Sequence, residues 1–222
     1  MKTVIFDLDG TITKRDTYLP FLFLCLREFG LRNWTILLLP CYVLLYWAGS
    51  MPNSALKSAF LNAILSGISV RQLEAVSDRF ISVLLRSNMN KESVGRLSMH
   101  LREGHRVILA TASLDVYVRP LAERLGISEV VCTSAETKNG VITGRIMGAN
   151  CHGIEKVRRL EERLGSAELR EAVFYTDHHS DLPLLERVKQ GILVKPCLRT
   201  RLILRNRKYT LMGMEGKSSI PI

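Results

Sequence analysis

FDLDGTIT, residues 6–13, begins with the last residue of the apolar run TVIF, Thr3–Phe6. The run predicts a short buried β-strand that ends at Asp7. Asp7 and Asp9 stand two residues apart just past that strand, so both carboxylates can project into one crevice. Ligands bind at the carboxyl ends of the strands in a parallel α/β sheet, so this pair of acids stands at a position typical of a ligand site.

Strand and helix patterns alternate over most of the chain beyond this stretch. Strands are predicted for RVILA, ending at Thr111, for EVVC, for AVFYT, ending at Asp177, and for GILV, the last strand; the run from Thr133 to Met147, with Asn139–Gly140 at its turn, is typical of a β-hairpin. Helices are predicted for DVYVRPLAERLG, GIEKVRRLEERLG and SDLPLLERVK. Strands separated by helices predict an α/β fold with a Rossmann-like parallel sheet and ligands at the carboxyl ends of its strands.

One long segment departs from this alternation. Residues 17–89 lack strand-like alternation and carry helical spacing instead, as in LKSAFLNAIL and VRQLEAVSDRFISVLL. Gly30, Gly49–Pro52 and Gly67 punctuate the segment. We expect an all-helical insertion between the first strand and the next.

The polar residues that follow the strands suggest a chemistry. Asp7, Asp9 and Asp177, with Asp181 four residues later, form an oxygen-only set that repels itself without a cation and suits Mg²⁺. Thr111 and Lys156 add donors for a phosphoryl group, which points to phosphoryl transfer. Taken singly, each piece has a plainer interpretation: Thr111 and Asp181 as helix caps, Lys156 as a solvated helix residue.

FDLDGTIT, ILATAS, GIEKVRRL and YTDHHSDLPLL resemble, in this order, the four motifs of the haloacid dehalogenase superfamily of phosphohydrolases. The resemblance covers nearly the whole chain and is closest to subfamily IB, in which a helical cap is inserted between the first and second motifs. It implies a catalytic core in residues 1–16 and 90–200, a helical cap in residues 17–89, and a basic C-terminal tail in residues 201–222.

The resemblance also implies roles for single residues. Asp7 would be the nucleophile that forms an aspartyl-phosphate, and Asp9 the general acid and base, an acid that the phosphatases of the family carry and its dehalogenases lack. Mg²⁺ would be held by Asp7, Asp177 and the backbone carbonyl of Asp9, with Asp181 orienting the site. Thr111 would bind the phosphoryl group, and Lys156 would offset the crowded negative charge.

Two features depart from the family pattern. His178 and His179 stand where many members have small residues; a role at the edge of the pocket is favoured over zinc binding, because adjacent side chains rarely converge on one ion. Asp16 stands nine positions after Asp7, where phosphoserine phosphatases place a glutamate that holds the substrate amine. A helix cap before TYLPFLFL is at least as good an interpretation of Asp16.

Charge and cysteine content limit the partners and the compartment. The formal net charge is +10 with a pI of about 9.6, and six positive charges fall between Lys195 and Lys208, which favours an acidic partner such as a phosphorylated substrate or an anionic membrane. The five cysteines are scattered and form no CxxC pair, which favours a reducing cytoplasmic setting, and no signal peptide is recognised. Nucleic acid is not expected, because no RNA-binding aromatic motif or helix-turn-helix is present.

NWTILLLPCYVLLYWAG, residues 33–49, belongs to a stretch without any charged residue from Asn33 to Leu56. The stretch from Asn33 to Leu56 is long enough to span a bilayer. A single crossing, however, would leave Asp7 on one side of the membrane and Thr111, Lys156 and Asp177 on the other, and the site would not assemble. We therefore expect part of the cap core or a peripheral insertion into one leaflet at the inner face of the membrane. With such an apolar cap the chain is similar to the phosphatidylglycerophosphatase C group, and this resemblance implies a lipid phosphate substrate. The alternatives are a small soluble phosphomonoester such as phosphoserine, or an inactive basic protein that binds membrane or nucleic acid.

Overall fold

A seven-stranded sheet forms the centre of the computed structural model, which describes residues 2–31, 33–205 and 209–213. The strand order is β4-β3-β2-β1-β5-β6-β7, and every neighbouring pair is parallel except β3 and β4. The strands are β1 (Thr3–Phe6), β2 (Arg106–Leu114), β3 (Glu129–Lys138), β4 (Val141–Met147), β5 (Val173–Thr176), β6 (Gln190–Val194) and β7 (Thr210–Met212). This is the α/β architecture that the alternating pattern predicts.

Helices cover both faces of the sheet. They are α1 (Tyr18–Phe29), α2 (Leu39–Trp47), α3 (Asn53–Leu65), α4 (Val70–Ser87), α5 (Lys91–Arg102), α6 (Asp115–Arg124), α7 (Ile154–Glu171), α8 (Leu182–Leu185) and α9 (Leu198–Ile203), with single 3₁₀ segments at Trp34–Leu38 and His179–Asp181. Strand β1 shows why the sheet is buried on both sides. Val4 and Phe6 belong to the apolar cluster on one face, and Ile5 to the cluster on the other.

Several predicted elements are confirmed. TVIF forms β1, AVFYT gives β5 up to Thr176, and the predicted hairpin is β3 paired with β4 in antiparallel register. Its turn holds Asn139 and Gly140 with φ of 52° and 73°, the left-handed backbone that an Asn-Gly hairpin turn requires. Gly126, with φ of 77°, follows α6 as predicted.

Three predicted boundaries are wrong. Strand β2 does not end at Thr111 but continues to Leu114, which pairs with Thr133 of β3 beyond an irregularity in the β2–β3 register. The helix of SDLPLLERVK stops at Leu185, since Gln190 already pairs with Val173 as the start of β6. GILV is not the last strand: β7 pairs with β6 inside the segment predicted as a tail. Residues 206–208 and 214–222 of that tail lie outside the described residues.

The predicted cap, residues 17–89, is helical as expected and packs closely on the rest of the chain. Phe21 of α1 and Phe80 of α4 contact Tyr117 of α6, with ring centroids 4.6 and 5.4 Å apart, and all three belong to one apolar cluster. Aromatic rings at these separations stabilise one another beyond the area that they bury. The boundary between cap and core stays a prediction, because the apolar cluster runs across it.

The uncharged stretch of residues 33–49 is broken into short pieces. A 3₁₀ turn at Trp34–Leu38 precedes α2, and α2 ends at Trp47 before a left-handed Gly49. Within the described parts of the chain, no helix is both long enough and apolar enough to cross a membrane.

Candidate active site

A cavity of about 690 Å³ lies between the carboxyl ends of the strands and the helical cap. The structure brings all the residues predicted from the motifs to this one cavity: Asp7, Asp9, Asp16, Thr111, Lys156, Asp177 and Asp181. The cap contributes mainly apolar and aromatic side chains, namely Tyr18, Leu19, Val43, Tyr46, Trp47, Leu56 and Phe60. We call the part of the cavity that the acids at the strand ends line its acidic end.

The loop after β1 positions the first two acids. The backbone N–H of Asp7 donates to the carbonyl oxygen of Tyr175 (2.9 Å), which extends the β1–β5 ladder up to Asp7. Gly10 adopts a φ of 75°, and a Cβ at this position would lie 2.2 Å from Oδ2 of Asp177. A glycine is thus required here, because any side chain would push Asp177 away from the first motif.

Lys156 connects the first motif to the last. Its Nζ donates to Oδ1 of Asp7 (3.0 Å) and to Oδ1 of Asp181 (2.7 Å), and only 3% of its side chain is exposed. Burial alone lowers the pKa of Lys156, but the carboxylates of Asp181 and Asp7 outweigh it, so the pKa lies above its ordinary value. Lys156 is therefore a buried ammonium ion, not a solvated helix residue.

Asp181 has both carboxylate oxygens engaged. Oδ1 accepts from Lys156, and Oδ2 accepts from the hydroxyl of Thr176 at 2.7 Å. The side chain is 4% exposed. These contacts fit the predicted role of orienting the site through its neighbours.

The carboxylate of Asp9 is held by uncharged donors. Oδ1 accepts from the backbone N–H and the hydroxyl of Thr17 (2.7 and 2.6 Å), and Oδ2 accepts from the hydroxyl of Ser113 (2.7 Å). These bonds fix the direction of the carboxylate inside the cavity, as a group that exchanges a proton with a substrate requires. They also leave the backbone carbonyl of Asp9, rather than its side chain, as the predicted ligand of a metal ion.

The remaining charge balance fits a divalent cation. Burial is the main cause that raises the pKa of Asp7 well above its ordinary value; Lys156 lowers it, and the neighbouring acids raise it. Burial, followed by the charges of Asp181 and Asp9, raises the pKa of Asp177 to about 7. Lys156 offsets part of this negative charge, and the oxygen ligands that Asp7 and Asp177 offer would suit a hard cation such as Mg²⁺.

Thr111 and Asp16 each have a local partner as well as a place in the cavity. Oγ1 of Thr111 accepts from the backbone N–H of Ser113 (3.1 Å), so its own proton stays available to a phosphoryl oxygen. Oδ2 of Asp16 accepts from the backbone N–H of Leu19 (3.1 Å) in the first turn of α1. Asp16 therefore both caps the start of α1 and lines the cavity.

The two histidines after Asp177 face different neighbours. His178 lines the cavity, and its Nδ1 lies 2.9 Å from the hydroxyl of Ser180. Nδ1 of His179 lies 3.4 Å from the hydroxyl of Thr200 in α9. The two rings also pack against each other, with centroids 4.1 Å apart, and the place of His178 in the cavity lining agrees with a role at the edge of the pocket.

Lys57, in helix α3, is a cavity residue that the sequence analysis missed. Its Nζ donates to the carbonyl oxygen of Ala112 (2.5 Å) and lies 4.4 Å from the ring centroid of Tyr18. Burial lowers the pKa of Lys57 to about 8, against an opposite pull from Asp9 and Asp16. A signal was present: Lys57 is the first charged residue after the uncharged stretch from Asn33 to Leu56.

Known proteins resemble this chain in sequence and in fold. Residues 4–186 match the family described as haloacid dehalogenase-like hydrolase. The phosphoserine phosphatase SerB1 of Mycobacterium tuberculosis is 30% identical over 152 residues, which are 67% of this chain and 49% of that protein. The chain thus spans about half the length of this relative. Protein CicA of Caulobacter vibrioides is 30% identical over 184 residues, 82% of this chain and 81% of that one.

A solved structure extends the likeness to the whole fold. A protein of unknown function from Bordetella pertussis superimposes with a TM-score of 0.79 at 24% identity, covering 96% of this chain and 99% of its own. The likeness at this identity concerns the fold alone. The sequence match over residues 4–186, together with the acids and the lysine gathered in one cavity, leads to one conclusion: the chain belongs to the haloacid dehalogenase-like hydrolase family.

Proposed function

We propose that the chain is a Mg²⁺-dependent phosphomonoester hydrolase that acts through an aspartyl-phosphate intermediate. The observation that carries the proposal is the buried bridge of Lys156 between Asp7 and Asp181, at the acidic end of a cavity large enough for an organic phosphate. A phosphoryl group needs positive charge and fixed donors around it, and this end of the cavity supplies both.

The reaction divides between the two acids of the first motif. A carboxylate oxygen of Asp7 attacks phosphorus, the ester P–O bond breaks, and Asp9 gives its proton to the leaving oxygen. Asp9 then takes a proton from a water molecule that attacks the phosphorus of the aspartyl-phosphate, which releases inorganic phosphate and restores Asp7. Lys156 and Thr111 hold the phosphoryl oxygens. Mg²⁺, when held by Asp7, Asp177 and the Asp9 carbonyl, supplies further neutralising charge.

The substrate that we favour is a lipid phosphate, as in the phosphatidylglycerophosphatase C group of subfamily IB. Trp34, Leu37, Leu44 and Trp47 expose 72, 74, 62 and 76% of their surface, and we call them the apolar cap surface. Trp47 also lines the cavity, so this surface is continuous with the site. Exposed aromatic and aliphatic side chains on a chain of net positive charge fit a peripheral position on an anionic membrane at its cytoplasmic face.

A small zwitterionic phosphomonoester such as phosphoserine is the second candidate. Asp16 and Lys57 both line the cavity, and their charges match the ammonium and the carboxylate group of such a substrate. The name of the mycobacterial relative points to the same substrate class.

Release of phosphate from a substrate panel tests the proposal and separates the candidates. The panel pairs phosphatidylglycerophosphate in mixed micelles with phosphoserine, sugar phosphates and an aryl phosphate, each with Mg²⁺ and with excess chelator. We expect Mg²⁺-dependent release, fastest from the lipid. Preference for phosphoserine would favour the second candidate. No release from any substrate, with salt-sensitive binding to membrane or nucleic acid, would replace the enzyme with a basic binding protein.

A further inference from the structure

A second cluster of ligand-type side chains lies at the opposite end of the sheet from the cavity. His100 stands in the last turn of α5, and Glu103 and His105 follow just before β2 begins at Arg106. Nδ1 of His100 is 3.0 Å from Nδ1 of His105, and Nδ1 of His105 is 3.4 Å from Oε2 of Glu103. One ligand atom from each residue lies within 4.8 Å of the other two.

The ring of His100 is held on its far side. Its Nε2 lies 3.1 Å from the hydroxyl of Tyr175, a residue of β5. With the proton on Nε2 donated to that hydroxyl, Nδ1 of His100 has a free lone pair, and His105 offers its own Nδ1 lone pair when its proton is on Nε2. Histidines that bind metal ions are usually held in this way, by a hydrogen bond from the other ring nitrogen.

We propose that His100, His105 and Glu103 bind a divalent transition-metal ion such as Zn²⁺, with water completing the coordination. With metal–nitrogen distances of about 2.0 to 2.1 Å, two nitrogens 3.0 Å apart give an N–metal–N angle of roughly 94°. This angle lies between the octahedral and tetrahedral values, and a small rotation of the partly exposed His105 ring opens it. Imidazole ligands select Zn²⁺, Ni²⁺ or Cu²⁺ over Mg²⁺, so the cluster and the acidic cavity take different ions.

The contacts of His100 indicate what the ion would do. Tyr175 stacks on Phe6 with ring centroids 4.3 Å apart and an interplanar angle of 8°. Phe6 precedes Asp7, and the carbonyl oxygen of Tyr175 accepts from the N–H of Asp7. An ion at the cluster would tie the end of α5 and the start of β2 to the two strands that carry the acids. Its effect is on stability, since none of the three ligands lines the cavity.

Zinc titration of the whole chain in excess Mg²⁺ tests the proposal, with a coloured zinc chelator as competitor and thermal unfolding as a second readout. We expect one zinc ion per chain and a raised Tm, because an ion that binds the folded state stabilises it. His105→Ala and Glu103→Gln should each weaken zinc binding by about tenfold or more. Both variants should keep the Mg²⁺-dependent phosphatase activity, so a failure here is separate from a failure of the proposed function.

Glu171→Gln is the matched control, since Glu171 is also an exposed glutamate paired with a basic side chain. Its zinc affinity should equal that of the unmodified chain. Nitrogen-15 resonances of the labelled histidine rings should show which imidazoles bind, with the shifts confined to His100 and His105. Unchanged zinc affinity in both His105→Ala and Glu103→Gln, or no bound zinc in the unmodified chain, would overturn the proposal and leave a histidine–histidine hydrogen bond.

Discussion

At the acidic end of the cavity, charged groups are buried and paired, whereas on the outer side of the cap, apolar groups are exposed. Lys156 and Asp181 expose 3 and 4% of their side chains, while Trp47 exposes 76% of its surface. Both arrangements cost free energy in water: the first by desolvating ions, the second by hydrating apolar surface. Regions that keep such costs are good candidates for function. The acidic end would determine the reaction, and the cap would determine the substrate.

Replacing Asp7, the proposed nucleophile, should have the largest effect on activity. We expect Asp7→Asn to lower phosphate release by about a thousandfold or more, because the amide does not attack phosphorus. Asp78→Asn, in an exposed aspartate paired with Arg124, is the matched control and should keep full activity. Steady-state assays with an aryl phosphate and Mg²⁺ measure both. Comparable rates in the two variants would contradict the role of Asp7.

Breaking the buried bridge should also affect stability. Lys156→Met leaves Asp7 and Asp181 without their shared cation, and removal of one partner of a buried ion pair costs about 3 to 5 kcal/mol. Because the pKa of Asp7 is already raised, uncompensated acids accept protons at low pH. The loss should therefore be smaller at pH 5 than at pH 8.

Urea unfolding at both pH values measures this change in the free energy of unfolding. Lys189→Met, which removes an exposed lysine paired with Glu171, is the control and should change it by less than about 1 kcal/mol. An equal loss at pH 5 and pH 8 would show that Lys156 acts through packing and not through its charge.

A cap variant should separate stability from function. Lys57→Met should raise the KM for an acidic substrate by about tenfold, the value of one charge-assisted hydrogen bond. The same variant should be more stable than the unmodified chain at pH 7, because the partly buried ammonium of Lys57 carries its desolvation cost below its pKa of about 8. That cost is relieved as the pH rises from about 8 towards the ordinary value of 10.5, so the stability of the unmodified chain should rise over this window.

Unfolding at pH 7 and pH 10, combined with KM measurements, checks both parts of this prediction. Lys138→Met, in an exposed lysine at the end of β3, should change neither quantity. Lower stability of Lys57→Met at pH 7 would show that the contact with Ala112 outweighs the cost of burial.

The smallest expected effect concerns the apolar cap surface. Leu37→Ser should weaken binding to anionic vesicles by about tenfold, since full burial of a leucine contributes about 1.5 to 3 kcal/mol. Release of phosphate from a water-soluble aryl phosphate should not change, because Leu37 does not line the cavity. Val83→Ser, a comparable exposed apolar residue on α4, should leave vesicle binding intact. Equal vesicle binding by both variants would contradict the proposed contact between the apolar cap surface and a membrane.

The same comparison explains how much could be predicted from the sequence. The acids after β1 and β5 were recognisable because a short motif fixes them at the ends of buried strands. Lys57 was not, because its approach to Ala112 depends on how α3 packs against β2, over a separation of 55 residues. Strand β7 was missed because three residues, TLM, carry no periodicity of their own. Local patterns thus predicted the acidic end of the cavity, while the position of the cap depends on tertiary packing.

The phosphorylated state of Asp7 is the most direct test of the account. Turnover of a saturating substrate with Mg²⁺ is stopped with acid, and the peptides are analysed by mass spectrometry. We predict that the peptide containing Asp7 gains the mass of one phosphoryl group, that the modification maps to Asp7, and that it is absent from Asp7→Asn. A phosphoryl group on another residue, or active turnover by Asp7→Asn, would contradict the account.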